Sequence, residues 1–163
     1  MKIMNGLRIN RIENIENALG AMQAMRELEK YLSTSSIEPN LLHLVKMRVS
    51  QINGCAFCLD MHSKDLRAAG ETEQRIYLLN AWRETSLYNE RERAALEWAE
   101  AITNISNGHI PQEIFEKARQ TFSEKELIDL TLAVVAINGW NRISIAFRSE
   151  AGSYQPDAFK AVS

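Results

Sequence analysis

The sequence is poor in cysteine, proline and glycine: its 163 residues include two, three and seven of them, respectively. It also lacks a basic excess, since the formal net charge is −2, and no basic cluster is combined with aromatic residues. A nucleic-acid-binding surface is therefore not expected. The longest apolar run covers residues 132–137, which is far too short to cross a bilayer, and residues 1–10 lack the apolar core of a signal peptide. We expect a soluble cytoplasmic protein.

What is present is the composition of a folded globular chain, with 45% apolar and 25% charged residues. A chain of this length is sufficient for one domain with a substantial core. Apolar residues recur every three or four positions along most of the chain, which predicts an all-α fold. About seven helices are expected, over residues 14–32, 39–52, 55–69, 72–82, 89–108, 111–122 and from 123 onward.

Several of the predicted helix ends are marked by particular residues. Pro39 suits the first turn of the second helix, and Asn53 with Gly54 ends or sharply bends that helix. Ser123 and Glu126 form a capping box ahead of the seventh helix. These signals favour helices over strands, even in the Val-rich part of the seventh segment.

The pattern also predicts which positions are buried. Leu19 is expected on the inner face of the first helix, and Ile105 on that of the fifth. The seventh helix is unusually apolar between Leu127 and Ile137, which predicts a buried central helix. Its apolar surface exceeds what a monomer of this size readily buries, so a homo-oligomer is expected. The tail after Gly152 is expected to be loosely docked.

Comparison of the chain with itself indicates a weak internal duplication. A shift of 85 residues aligns Leu42 with Leu127, Val49 with Val134, and Ile52-Asn53-Gly54 with Ile137-Asn138-Gly139. The first copy continues with Cys55 and the second with Trp140. Only the first copy therefore carries thiol chemistry. Trp140, Asn141 and Arg142 either line the site or have packing and ion-pair roles.

The segment that carries chemistry contains Cys55, Cys58 and His62. On a helix these three side chains lie on one side, with His62 one turn beyond Cys58. Cys55 falls in the first turn, where free backbone N–H groups and the helix dipole favour a thiolate. An imidazole can take the thiol proton, and a second thiol can resolve a sulfenic acid by forming a disulfide. The spacing therefore favours redox chemistry.

Three other interpretations of the cysteine pair remain open at this point. The cysteines can simply fill core space, as free cysteines often do. They can bind zinc together with His43 and His62, although zinc signatures usually consist of two well-separated ligand pairs. A thioredoxin-type site is the third, but it needs a βαβ context that is not predicted here. In a reducing compartment, redox catalysis or metal binding is favoured over a structural disulfide.

Residues 44–62, which read LVKMRVSQINGCAFCLDMH, closely resemble the carboxymuconolactone decarboxylase superfamily. More narrowly, they resemble its AhpD-like alkylhydroperoxidase branch. The resemblance continues through ERAALEW at 92–98 and INGWNRI at 137–143. It therefore predicts a single AhpD-like domain over residues 1–163, with its core at about 8–152.

The resemblance implies an all-helical protein that assembles as a trimer or hexamer and reduces organic hydroperoxides in antioxidant defence. Cys58 would be the peroxidatic thiol, and Cys55 would be the resolving thiol and proton donor. His62 would belong to the proton relay that activates Cys58. No metal or organic cofactor is implied, because the electrons come from an external dithiol or disulfide reductase.

The sequence departs from the family pattern at two positions. Many relatives carry a glutamate of the proton relay twelve residues before the first cysteine, where this chain has His43. An imidazole can also accept a proton near neutral pH, so His43 is either a relay residue or a structural one. Phe57 stands between the cysteines, where relatives often have a polar ring. Two alternative functions follow: a non-enzymatic redox sensor, or a decarboxylase or lactone enzyme of the same fold.

Overall fold

The computed structural model describes residues 3–4, 7–8, 11 and 15–156, and its regular structure there is helical apart from one short antiparallel hairpin. The hairpin pairs β1 (Ile3–Met4) with β2 (Leu7–Arg8). The α-helices within the described residues are α1 (Leu19–Ser33), α2 (Pro39–Asn53), α3 (Ala56–Ala68), α4 (Glu73–Leu78), α5 (Glu90–Thr103), α6 (Gln112–Thr121) and α7 (Glu124–Phe147). The predicted all-α fold with about seven helices is confirmed.

The helix α2 lies at the centre of the fold, where it packs against α3, α5 and α7. One of its faces joins α5 and α7 in the main core cluster, which includes both cysteines. Its other face belongs to a second cluster with Leu66, Leu79 and Trp82. Buried residues therefore occur almost all round the helix: Leu41, Leu42, Leu44, Val45, Met47, Val49 and Ser50. The cysteine pair lies just beyond the end of this central helix.

The residues predicted to mark helix ends do mark them in the structure. Pro39 is the first residue of α2, and Gly54 follows its last residue in the left-handed region, with φ +70°. The Ser123 hydroxyl accepts a hydrogen bond from the backbone N–H of Glu126 at 3.2 Å. The Glu126 carboxylate in turn accepts from the backbone N–H of Ser123 at 2.8 Å. The capping box therefore satisfies two of the free donors at the start of α7.

One face of the helix α7 is buried, as its apolar sequence predicts, whereas Ile128 and Val135 on its outer face are 60% and 53% exposed. By length and composition alone it is able to cross a membrane. It instead packs against α1, α2, α3 and α5. Even its Asp129 is fully buried, with hydrogen bonds from the Tyr31 hydroxyl at 2.8 Å and the Lys125 ammonium at 2.7 Å. It is the core helix of a soluble domain.

The predicted fourth helix is shorter than the pattern indicates. It ends at Leu78, and a 3-10 turn continues over Leu79–Glu84 with non-helical dihedral angles at Ala81. Arg93 of α5 donates hydrogen bonds to the carbonyl oxygens of Trp82 and Thr85 at 2.9 and 3.0 Å. In a longer α-helix, carbonyl oxygens of this segment would accept hydrogen bonds within the helix. Here those of Trp82 and Thr85 accept from Arg93, and the segment does not continue as an α-helix.

Two burial expectations are wrong. Leu19 is 58% exposed, because it is the first residue of α1, and Ile105 is 56% exposed, because it lies beyond the end of α5 in a 3-10 turn. Asn14, the expected start of the first helix, lies outside the described residues. Of the tail that was expected to be loosely docked, the structure describes residues 153–156. Lys64 of α3 donates hydrogen bonds to the carbonyl oxygens of Gly152 and Tyr154.

Candidate active site

The cysteines lie at the junction between α2 and α3. After the left-handed turn at Gly54, the backbone N–H of Cys55 donates to the carbonyl oxygen of Ser50 at 3.1 Å. The helix α3 begins at Ala56, one residue later than the sequence predicts, so Cys55 is its N-cap and not part of its first turn; the Cys55 sulfur accepts from the backbone N–H of Cys58 at 3.4 Å. The sulfur of the capping residue is therefore held by a free donor of the helix.

Cys55 and Cys58 are joined by a disulfide, with their Cα atoms 5.4 Å apart. That separation is within the ordinary range for a disulfide, so the bond forms without displacement of the backbone. Each residue is only 1% exposed. The two cysteines, three residues apart, are therefore close enough to interconvert between a dithiol and a disulfide.

His62 lies on α3 one turn after Cys58 and is 4% exposed. Neither of its ring nitrogens has a hydrogen-bond partner among the described residues. Burial lowers the pKa of His62 well below its usual value, and the positive charge of Lys46 and the neighbouring His43 lower it further. The imidazole is therefore neutral at neutral pH, which is the form that accepts a proton or binds a metal.

His43 of α2 lies beside His62, and their ring centroids are 5.7 Å apart. Its side chain is 33% exposed, yet its Nδ1 is buried and has no hydrogen-bond partner among the described residues. Burial lowers the pKa of His43, and the negative charge of Asp65 opposes that effect. The structure thus brings together the two histidines that the sequence predicts as site residues.

Asp65 is a member of this cluster that the sequence interpretation missed. Its Oδ2 lies 3.9 Å from Nδ1 of His43 and 3.9 Å from Nδ1 of His62. Both distances are too long for a hydrogen bond. Its Oδ1 accepts a hydrogen bond from the Tyr154 hydroxyl at 2.6 Å. The signal that could have found it is the i, i+3 spacing from His62, which places both side chains on one face of a helix.

The four-ligand zinc set considered from the sequence is not assembled in this structure. A ligand atom of each of His43, His62 and Asp65 lies within 4.8 Å of the other two, and the cysteines are not part of this group. Both cysteine sulfurs are instead engaged in the disulfide. The donor set that the fold brings together is therefore two imidazoles and one carboxylate.

A cleft of about 260 Å³ opens beside the disulfide. Residues 54–57 form one wall, and the other comes from the end of α7 and the chain after it, including Ser144, Ile145 and Arg148. Cys55 and Phe57 line this cleft, whereas Cys58 does not. Of the two cysteines, only Cys55 therefore borders this cleft.

Asn141 has a packing role and not a site-lining one. It is fully buried, and its amide donates to the Ser50 hydroxyl at 3.0 Å while its oxygen accepts from the Asn53 amide at 2.8 Å. These bonds fix the end of α2 against α7. They position the turn that carries Cys55 without touching the sulfur atoms.

The comparisons with known proteins agree with this architecture. Residues 17–101 match the model of the carboxymuconolactone decarboxylase family, which is more than half of the chain. The chain belongs to this family. The uncharacterised protein YdfG of Bacillus subtilis is 50% identical over 129 residues, which is 79% of this chain and 88% of YdfG. The family predicted from residues 44–62 is confirmed.

Solved structures extend the likeness to the whole helical framework. A protein of unknown function from Agrobacterium tumefaciens, whose name proposes an antioxidant defence protein AhpD, is 43% identical with a TM-score of 0.85. The likeness covers 90% of this chain and all of that one. The debrominase Bmp8 shares the fold at 24% identity and a TM-score of 0.74, over 84% of this chain and 74% of its own. This likeness to Bmp8 shows a shared fold.

Proposed function

We propose that this protein is a cytoplasmic thiol peroxidase that reduces organic hydroperoxides through Cys58 and Cys55. The observation that carries the proposal is the disulfide between these residues at the start of α3. Two sulfurs that are bonded in the oxidised protein and become thiols when a dithiol supplies two electrons and two protons provide the reversible step of a peroxidase cycle. The likeness to AhpD-like proteins supports the same chemistry.

The reaction begins from the reduced pair. The Cys58 thiolate attacks the outer oxygen of the hydroperoxide, the O–O bond breaks, and the leaving alkoxide takes a proton to become an alcohol. Cys58 is then a sulfenic acid, and the Cys55 thiol displaces its hydroxyl as water to form the disulfide. Neutral His62, one turn from Cys58, accepts the thiol proton in the first step and returns it to the alkoxide.

Reduction of the disulfide requires an external dithiol. Of the two cysteines, only Cys55 borders the cleft, so a thiolate from the reductant attacks the Cys55 sulfur. Cys58 then leaves as a thiolate at the start of α3, where the helix dipole stabilises negative charge. The second thiol of the reductant resolves the mixed disulfide, and the enzyme is ready for another hydroperoxide.

The assignment of roles is tested by trapping the intermediate. Cys55→Ser, treated with one equivalent of cumene hydroperoxide and the sulfenic acid reagent dimedone, is expected to carry the adduct on Cys58 by mass spectrometry. Cys58→Ser is the matched control and is expected to stay unmodified. An adduct on Cys55 in the control, with none on Cys58, would reverse the two roles.

A redox sensor is the second candidate, and one observation favours it. Neither ring nitrogen of His62 is hydrogen-bonded to a sulfur, and both sulfurs are nearly excluded from solvent. A sensor forms the same disulfide and changes its partner or assembly state. The rate of peroxide consumption with excess dithiol separates the two, because a sensor turns over slowly and changes its assembly state when it is oxidised.

We further propose that a second copy of this chain covers the outer face of α7. Ile128 and Val135 lie two turns apart on this helix and are 60% and 53% exposed. Ile145 near its end is 46% exposed, and Tyr31 of α1, beside α7, is also 46% exposed. An apolar strip of this kind on a soluble domain is typical of an interface.

A further inference from the structure

We propose that His43, His62 and Asp65 form a binding site for a divalent transition-metal ion, with zinc as its probe. The three residues offer two imidazole nitrogens and one carboxylate oxygen, all within 4.8 Å of one another. Two histidines and one carboxylate with a position left open are a common ligand set for zinc and ferrous iron. The site is separate from the sulfur atoms, which the proposal does not use as ligands.

The second observation is a buried side chain without a partner. His62 is 4% exposed, and both its ring nitrogens lack a hydrogen-bond partner among the described residues. The buried Nδ1 of His43 likewise has no hydrogen-bond partner among the described residues. Buried polar atoms are almost always paired, so two unpaired Nδ1 atoms, each 3.9 Å from Asp65 Oδ2, indicate a group that binds between them.

The distances fit an ion better than a direct contact. Asp65 Oδ2 lies 3.9 Å from Nδ1 of both histidines, which leaves a gap that no hydrogen bond closes. Two ligand atoms at about 2.0 to 2.1 Å from one tetrahedral zinc ion are separated by about 3.3 Å. Each Asp65–histidine separation therefore needs to shorten by roughly half an ångström, and the separation between the two histidine ligand atoms, which is at most 4.8 Å, by up to about 1.5 Å.

The surroundings orient and balance the ligands. Tyr154 donates a hydrogen bond to Oδ1 of Asp65, so Oδ2 of the same carboxylate is directed to the histidines. Such an outer hydrogen bond is typical of metal-binding carboxylates. Lys46 is the positive charge that acts on both histidines, and it forms an ion pair with Glu29 that reduces its repulsion of a cation. Burial keeps His62 neutral, as a metal ligand must be.

The position of the site also suggests a consequence for the thiols. A bound ion would engage the imidazole that accepts the Cys58 proton, and turnover would be suppressed. This consequence rests on the proposed function, whereas metal binding does not. Binding is therefore measured on the oxidised protein, which has no free thiol, so the two proposals can fail separately.

The experiment is an isothermal calorimetric titration of the full-length, oxidised, chelator-washed protein with zinc. One equivalent is expected to bind. His43→Gln and Asp65→Asn are each expected to weaken binding at least tenfold, because each removes a direct ligand. His109→Gln, which removes an exposed histidine in the loop after α5, is the matched control and is expected to bind as wild type does. A Cys55→Ser, Cys58→Ser double variant is also expected to keep the ion.

Side-chain nitrogen NMR of the wild type gives a second measurement that does not depend on variants. Zinc is expected to shift the ring nitrogen signals of His43 and His62 and to leave those of His109 unchanged. The proposal is overturned if the oxidised wild type binds no zinc at millimolar concentration, or if the two ligand variants bind as tightly as wild type. Loss of binding in the double cysteine variant would equally overturn it, because binding would then depend on the sulfur atoms and not on the histidines and Asp65 alone.

Discussion

The side-chain amide of Asn53 donates a hydrogen bond to the side-chain oxygen of Asn138 at 2.9 Å. These residues occupy equivalent positions in the two segments related by the 85-residue shift, at the end of α2 and in the middle of α7. Equivalent residues of the two segments therefore lie side by side in the core. The contact links α7 to the last residue of α2, directly before the turn that leads to Cys55.

The two copies of Ile-Asn-Gly use glycine for different reasons. Gly54 ends α2 with a φ of +70°, which allows the chain to turn and present Cys55. Gly139 stays helical, and a Cβ atom at this position would lie 3.1 Å from Met25 Cε of α1. The first glycine is therefore required by backbone conformation, and the second permits close packing of α1 on α7.

The hydrogen bonds of Asn141 with Ser50 and Asn53, called here the Asn53 network, predict that Asn141→Ala lowers the stability of the protein. The variant leaves the Ser50 hydroxyl and the Asn53 amide without one partner each in a buried region. We expect a loss of about 1–3 kcal/mol in the free energy of unfolding, measured by urea denaturation. Asn107→Ala, an exposed asparagine in a 3-10 turn, is the control and is expected to change it by less than about 0.5 kcal/mol. Equal effects of both would contradict the account of the network.

The left-handed turn predicts opposite results for two alanine substitutions. Gly54→Ala places a Cβ on a residue with positive φ, so we expect a loss of about 1–2 kcal/mol in the free energy of unfolding. Gly20→Ala in α1 meets no atom within 4 Å, and alanine favours a helix, so stability is expected to be unchanged or slightly higher. Thermal and urea unfolding of both variants check this. A Gly54→Ala protein as stable as Gly20→Ala would show that the turn is not required.

Glu100 of α5 predicts a pH-dependent contribution to stability. Burial raises the pKa of Glu100, but hydrogen bonds from Trp82, Arg83 and Arg48 outweigh it, so the pKa lies below its ordinary value. Because the folded pKa is depressed, the stabilisation is present above the unfolded pKa and is lost as pH falls through the folded pKa. Glu100→Gln is expected to be less stable than wild type at pH 7, and the difference is expected to shrink in acid.

The measurement is urea unfolding of wild type and Glu100→Gln between pH 7 and pH 3. Glu113→Gln, an exposed substitution at the start of α6, is the control and is expected to follow wild type at every pH. A difference between wild type and Glu100→Gln that is constant over this range would mean that the hydrogen bonds do not depend on the ionised carboxylate.

The proposed subunit interface predicts that Val135→Glu dissociates the assembly. A carboxylate at the centre of an apolar strip is costly to bury, whereas in a free subunit it lies in water. We expect wild type to be oligomeric and the variant to be smaller, by size-exclusion chromatography with light scattering. Ile105→Glu, which is exposed elsewhere, is expected to keep the wild-type size. A monomeric wild type, or a variant that assembles normally, would contradict the interface.

The sequence predicted the helical fold and the proximity of Cys55 and Cys58 because both depend on local patterns. Helix periodicity, the capping box at Ser123 and the glycine stop at Gly54 act over a few residues each. The placement of Asp65 depends on tertiary structure: it requires α2 to pack on α3 and Tyr154 to dock beside them. His43 was proposed as a site residue, but its distance from His62 depends on the angle of the turn at Gly54, which helical spacing does not determine.

The most direct test of the central claim is hydroperoxide consumption by fully reduced, metal-stripped wild type, run beside Cys58→Ser with excess dithiol. The account predicts that wild type consumes cumene hydroperoxide over many turnovers and that Cys58→Ser does not. Wild type that is no faster than Cys58→Ser would contradict the account, because Cys58 would then not be a peroxidatic thiol.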